Sequence, residues 1–256
     1  MTPSQFDKGQ TFRALHEGEA FVIPNPWDAG SARALAKLGF RALASTSGGF
    51  AQTLGRSDGE VSLDEVVEHA RALDGATDLA VSMDLENGYG PEAADAALAI
   101  TRVAGAGAVG GSIEDWDPTG NFIYEVESAT ERVAVAAEAA RALDFPFTLT
   151  ARAENHLRDN PDLDDTIRRL RAYEEAGADV LYAPGLRTDE EIRTVCAAVS
   201  KPVNVLAFPG MSMDLIAAAG AQRVSLGSWL SHVASGAAMK AASKIRDTGD
   251  FSALSP

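Results

Sequence analysis

Gly105-Ala106-Gly107-Ala108-Val109-Gly110 carries the letters of a dinucleotide-binding fingerprint, and its setting decides between two α/β folds. In that fingerprint the glycines follow a strand and open a helix, so that a pyrophosphate meets the helix N-terminus. Here the order is reversed. A helical pattern, Ala93–Gly105, leads into the glycines, and a β-rich run, Ala108–Ile113, follows them. The segment therefore reads as a helix stop and a tight entry to a strand, and an open doubly wound sheet loses its best support.

Outward from this point the same order repeats. Short apolar runs at Ala20–Pro24, Arg41–Ser45, Leu79–Leu85, Ala108–Ile113, Phe147–Ala151, Asp179–Ala183, Val203–Ala207 and Arg223–Leu226 read as strands. Amphipathic stretches at Ala29–Leu38, Leu63–Leu73, Ala93–Gly105, Ala129–Leu143, Leu163–Ala176, Glu190–Ser200 and Met213–Ala219 read as helices, with a last one over Leu230–Arg246. Gly39, Gly177 and Gly220 each follow a helical run, where glycine can take the left-handed conformation that ends a helix. Strand, loop and helix eight times over predict a (β/α)₈ TIM barrel, and the 256 residues match its usual length. With no linker or composition shift, the expectation is one barrel domain over 1–256.

A formal net charge of −15 repels phosphate backbones and acidic membrane surfaces, so neither nucleic acid nor membrane is an expected partner. The N-terminus has no apolar signal segment, and no run approaches the roughly 20 apolar residues of a membrane span. The single Cys196 excludes an internal disulfide framework and a cysteine-rich zinc site. A cytoplasmic enzyme fits this composition.

In parallel barrels the chemistry sits at the C-terminal ends of strands. Those exits hold Ser45-Thr46-Ser47-Gly48, Asp84-Leu85-Glu86, Glu114-Asp115 and Arg152-Ala153-Glu154-Asn155. Asp84 and Glu86, two apart on an extended segment, are expected to point the same way and to repel unless a cation lies between them. Glu114 would add a third acid. An oxygen-only set selects a hard ion, Mg²⁺ or Mn²⁺. The other reading is that these acids cap helices and face solvent. Arg152 needs an anion, either a neighbouring acid such as Glu114 or Glu86, or a substrate carboxylate. Thr46-Ser47-Gly48 is either an anion cradle or a polar turn. His16 and His69 are expected on exposed helical faces. His156 is a candidate to reach the site, Trp27 is read as packing, and Asp28 as a helix cap.

The combination of Asn25-Pro26-Trp27-Asp28, Thr46-Ser47-Gly48, Asp58, Asp84-x-Glu86-x-Gly88-Tyr89-Gly90, Ile113-Glu114-Asp115 and Thr150-Ala151-Arg152 resembles the isocitrate lyase/phosphoenolpyruvate mutase superfamily. The resemblance implies a Mg²⁺-dependent barrel enzyme for small α-oxo or 2-hydroxy carboxylates that cleaves C–C or P–C bonds through an enolate or related oxyanion. By position, Asp84 matches the direct metal ligand, and Asp58, Glu86 and Glu114 the acids that hold metal-bound waters. Asp58 also counts with Arg152 among the catalytic groups. Thr46, Ser47 and Gly48 match the substrate-binding segment, Arg152 the substrate-binding arginine, and Asn204 a substrate-contacting stretch. The small-residue surface of the C-terminal stretch Trp229–Lys244 predicts a homo-oligomer, a dimer or tetramer; the resemblance implies that this helix is exchanged between subunits, and the other reading is that it packs on its own barrel.

This chain departs from the family where the second acid is Glu86 instead of Asp, and where Ala44 replaces the strand-two aromatic of the phosphonopyruvate enzymes. After Asp115 it reads Trp116-Asp117-Pro118-Thr119-Gly120, without the cysteine-bearing gating loop of isocitrate and methylisocitrate lyases. The expected function is a Mg²⁺-dependent lyase or hydrolase that cleaves a C–C bond of an oxaloacetate-like oxo acid. The alternatives are a P–C bond mutase or hydrolase acting on phosphonopyruvate, and a non-catalytic oxo-acid binding protein.

Overall fold

In the computed structural model, which describes residues 2–254, six of the eight runs expected as strands contain one, and the runs Ala108–Ile113 and Phe147–Ala151 hold strands that extend one residue further, to Glu114 and Arg152. The strands in chain order are β1 (Phe21–Ile23), β2 (Ala42–Ala44), β3 (Ala80–Asp84), β4 (Gly110–Glu114), β5 (Trp116–Asp117), β6 (Phe122–Ile123), β7 (Thr148–Arg152), β8 (Val180–Tyr182), β9 (Val203–Leu206) and β10 (Arg223–Ser225). Eight of them form a parallel sheet in the order β1-β10-β9-β8-β7-β4-β3-β2, while β5 and β6 make a separate antiparallel hairpin. The Ala44 amide donates to the Pro24 carbonyl at 3.1 Å, which ties β2 to the end of β1 and closes the ring. This is a (β/α)₈ barrel.

The helices are α1 (Gln5–Leu15), α2 (Ala29–Lys37), α3 (Ser47–Thr53), α4 (Leu63–Asp74), α5 (Ala93–Ala104), α6 (Val126–Arg141), α7 (Leu163–Glu175), α8 (Asp189–Ala198), α9 (Met213–Ala218) and α10 (Trp229–Thr248). Their starts follow local chemistry. Asp28 caps α2 as expected, accepting from the Ser31 amide at 2.6 Å, and Ser62 and Thr188 form capping boxes with Glu65 and Glu191. Gly39, Gly177 and Gly220 all have positive φ at the helix ends.

Two helices and the hairpin were not expected from the sequence pattern. α1 starts in a Ser4–Asp7 capping box and lays Phe12 and Leu15 across the barrel floor, against Phe21, Ile23, Ala42, Ala80 and Val109. This plug explains the last glycine of the fingerprint-like segment. A Cβ on Gly110 would stand 2.7 Å from the Phe12 ring, so the close approach requires glycine. Gly107 has φ +107, a conformation that turns the chain from α5 into β4. The larger core lies outside the barrel, between the outward strand residues and the helices.

α10 behaves differently. Of its 20 residues only Ser231 is buried, and Trp229, Val233 and Met239 are exposed. No helix of the described residues is long and apolar enough to cross a membrane.

Candidate active site

Pairing along the sheet sets which residues share the barrel interior. Asp84 pairs with Ser112, Glu114 with Arg152, Arg152 with Tyr182, and Arg223 with Asn204. Alternate residues face inward, so Ser82 and Asp84 of β3, Ser112 of β4, Arg152 of β7 and Arg223 and Ser225 of β10 all line one cavity of about 210 Å³. Thr46, Ser47 and Asp58 complete its mouth, and Asn204 and Tyr182 its far wall.

Asp84 is held by the strand-two exit. Its Oδ2 accepts from the Ser47 hydroxyl at 3.1 Å and from the Ser47 amide at 3.3 Å, and its own amide donates to Ser45 Oγ at 2.8 Å. The Thr46-Ser47-Gly48 segment, read as either an anion cradle or a polar turn, is the start of α3, with Thr46 as its cap. Thr46 Oγ1 accepts from the Gly49 amide and lies 2.8 Å from Ser228 Oγ. The Ser47 donors are turned to an internal carboxylate, Asp84. Gly48 sits where a Cβ would stand 3.0 Å from Ser228 Oγ and 3.4 Å from the Asp58 carboxyl.

Glu86 corrects the sequence expectation. β3 ends at Asp84, and Glu86 lies in a turn with φ +47, so the two acids do not continue one extended face. Glu86 is buried beside a neighbouring cleft with Gly59, Tyr89 and Pro118, and its Oε1 has no hydrogen-bond partner among the described residues. Burial, with Asp84 and Asp58 nearby, pushes its carboxyl up to about 8. The Glu86 carbonyl accepts from the Glu114 amide at 2.8 Å and so ties this turn to β4.

Arg152 stands among the acids. Its Nη1 lies 3.1 Å from Glu114 Oε2 and 3.5 Å from Asp84 Oδ1, and its Nε donates to Glu154. Of the two acids proposed as its internal partners, it meets Glu114 and not Glu86. Burial raises the Glu114 carboxyl well above the ordinary range, with Arg152 pulling it back and Glu154, Asp84 and Glu86 adding to the rise. Burial and Asp84 likewise raise Asp58. Two of these neighbours were read in the sequence only as strand-exit residues. Glu154 pairs with Arg152 and Arg158. Asp115 turns away from the cavity to take Tyr173, Arg169 and the Glu154 amide.

Five carboxylates (Asp58, Asp84, Glu86, Glu114 and Glu154) therefore gather around two guanidinium groups, Arg152 and Arg158. That excess of acid, all of it oxygen donors and including the unpartnered Glu86 Oε1, fits a hard divalent cation. Among the described residues no three acids or histidines are already drawn together as a direct ligand set.

Other expectations change. His16 and His69 are buried, not exposed. His16 sits at the end of α1, beneath the barrel, with Nδ1 2.9 Å from the Phe12 carbonyl and Nε2 3.2 Å from Arg223 Nη1. His69 stacks on Phe50 with ring centroids 3.9 Å apart. His156 lies outside the cavity, packed against Gly185. Trp27 lines an outer groove. Asn204 does reach the cavity, but its amide is shared between Ser225 Oγ, at 2.9 Å, and Arg223 Nε, at 2.9 Å. Arg223 was missed altogether. The one available signal was the alternation Arg223-Val224-Ser225, two polar residues on one strand face.

Comparison with known proteins agrees with this architecture. A crystal structure of a provisionally assigned lyase/mutase from Burkholderia cenocepacia is 50% identical, with a TM-score of 0.94 over 97% of this chain and 91% of the other. A 2-methylisocitrate lyase from Halalkalibacterium halodurans is 30% identical over 78% of this chain and 67% of its own. An oxaloacetate decarboxylase from Bradyrhizobium diazoefficiens is 30% identical over 76% and 69%. Phosphonopyruvate hydrolase, crystallised with oxalate and Mg²⁺, shares the fold with a TM-score of 0.86 at 24% identity, over 97% and 91%. The phosphoenolpyruvate phosphomutase model matches residues 12–246, so the barrel, its acid-rich mouth and this match together place the chain in the phosphoenolpyruvate phosphomutase family of the isocitrate lyase/phosphoenolpyruvate mutase superfamily.

Proposed function

We propose that this protein is a Mg²⁺-dependent enzyme that cleaves a C–C bond of a small α-oxo carboxylate of the oxaloacetate kind, as a lyase or hydrolase. The observation that carries the reading is Arg152, held by Glu114, Asp84 and Glu154 at the mouth of a cavity whose remaining groups are mostly acids and hydroxyls. An anionic substrate would be repelled from such a mouth unless a cation offset the acids. A divalent ion held by Asp84, with Asp58, Glu86 and Glu114 around it, would supply Lewis-acid polarisation of the α-oxo oxygen.

The chain's own groups do the rest. In the lyase, the bond between the carbon next to the oxo carbon and its carboxylate breaks, CO₂ leaves and the electron pair stays as an enolate, so negative charge grows on the former oxo oxygen. In the hydrolase, water adds to the oxo carbon and the same oxygen carries the charge until the C–C bond breaks. Arg152 is fixed before the reaction by its three carboxylate neighbours and can stabilise that charge without reorganising. Asp58, raised by burial, is suited to hold a proton and return it to the enolate carbon. The cavity of about 210 Å³ admits a few-carbon acid and little water besides it.

The test is turnover of C3–C6 oxo and hydroxy acids and of phosphonopyruvate, with Mg²⁺ or with EDTA, after subtraction of a metal-only blank. Oxaloacetate giving pyruvate supports a lyase, and oxaloacetate giving oxalate and acetate supports a hydrolase. Phosphate released from phosphonopyruvate would move the reading to P–C chemistry. Binding without turnover of any of them would leave a binding protein and overturn the enzymatic reading.

A further inference from the structure

Arg223 is a buried cation that the proposed reaction does not use. Its Nε donates to Asn204 Oδ1 at 2.9 Å, Nη2 donates to Thr150 Oγ1 at 2.9 Å, and Nη1 lies 3.2 Å from His16 Nε2. All three partners are neutral. With its Nδ1 2.9 Å from the Phe12 carbonyl, His16 is best satisfied as the neutral tautomer that donates there and accepts from Arg223. Three of the five guanidinium N–H groups are accounted for, and among the described residues no carboxylate pairs with the charge. Burial accordingly lowers its pKa to about 10. An unpaired buried charge is costly, and the same side chain lines the cavity.

Arg223 also lies at a definite depth. Thr150, which it touches, is two residues before Arg152 on β7, so it belongs to the next inward layer, about 6.6 Å of strand rise below the Arg152 layer. The cavity thus has an arginine at its mouth, offset by acids, and an arginine at its floor, offset by none.

We propose that Arg223 is a specificity-determining anion receptor, which takes the second carboxylate of a dianionic oxo or hydroxy acid whose first carboxylate lies toward Arg152. This rests on the oxo-acid reading of the cavity and names the residue that makes it prefer short diacids. Monoacids of the same length leave Arg223 unpaired and bind less well.

Malate and 2-hydroxybutanoate make the test, because they differ only by a distal carboxylate in place of a methyl group. Calorimetric titration of the full-length protein with Mg²⁺ present should give about tenfold or more tighter binding of malate, the scale of a charge-assisted hydrogen bond. Arg223→Gln, checked for fold by circular dichroism, should bring the ratio to near one and leave 2-hydroxybutanoate affinity within about threefold. Asn204→Asp provides a second route: it sets an internal carboxylate against Arg223 Nε, so it should raise the melting temperature and also erase the malate preference. Equal affinities in the wild type, or a preference that survives both variants, would overturn the assignment of Arg223. Failure of both acids to bind the wild type would also overturn this inference, whereas the oxo-acid reading stands or falls on the turnover screen.

Discussion

The Ser47 hydroxyl donates to Asp84 Oδ2 at 3.1 Å across 37 positions of sequence, so the first turn of α3 holds the end of β3 in place. Asp84 is therefore held in orientation at the cavity mouth. Asp84→Ala should abolish turnover and, in the same preparation, the rise in melting temperature that Mg²⁺ produces. A variant that binds Mg²⁺ as tightly as the wild type in calorimetry would remove Asp84 from the metal site.

Arg152 is expected to matter for both chemistry and stability. Loss of a preorganised stabiliser of developing charge costs about 10²–10³ in turnover, and Arg152→Met should fall in that range or below it. The same change leaves Glu114 buried without its cation and Glu154 with Arg158 alone, a loss of about 3–5 kcal/mol by urea unfolding. Undiminished turnover would assign Arg152 to structure alone.

Isocitrate and 2-methylisocitrate are expected to be poor substrates. The loop after β4 is the β5–β6 hairpin, which carries no cysteine, and Cys196 lies on α8. General acid help is worth about 10²–10⁴-fold, so kcat/KM should fall that far below cysteine-bearing lyases assayed in parallel. Equal rates would require another acid, with Tyr124 and His156 the first to replace.

We expect a homo-oligomer, dimer or tetramer, assembled through α10. A 20-residue helix with one buried residue and with Trp229, Val233 and Met239 exposed leaves its apolar groups in water unless a second copy covers them. Light scattering at micromolar concentration should give a multiple of the chain mass, and Val233→Glu together with Met239→Glu should shift it toward the monomer. A wild-type monomer would refute the assembly.

Acid should destabilise the fold partly through His16. Burial, with Arg223 beside it, lowers its pKa to about 3, whereas an unfolded histidine takes a proton near 6.5. The unfolded chain is protonated first, so stability present above pH 6.5 is lost as pH falls toward 3. His16→Gln keeps an acceptor for Arg223 and should flatten the decline by up to about 1.4 kcal/mol per pH unit. Parallel melting curves for the two proteins would count against this role.

The sequence by itself determined the alternating elements, because strand period, helix period and the glycine stops are properties of neighbouring residues. It also placed Asp84, Glu114 and Arg152 at strand exits, which is enough to locate the mouth of a parallel barrel. The tertiary structure decided where those groups turn. Glu86 leaves the strand through a left-handed turn that no two-residue alternation registers, and Ser47 spends its donors on Asp84 because Ser45 bonds to β3 and α3 starts two residues later. α1 has too few apolar residues to declare itself, and it is a helix whose buried face is defined by the barrel floor. His16 and Arg223 meet across 207 positions, on opposite sides of the point where the chain closes into a ring. Such a pairing depends on closure of the barrel, since local propensity acts over a few residues and only packing brings distant ones together.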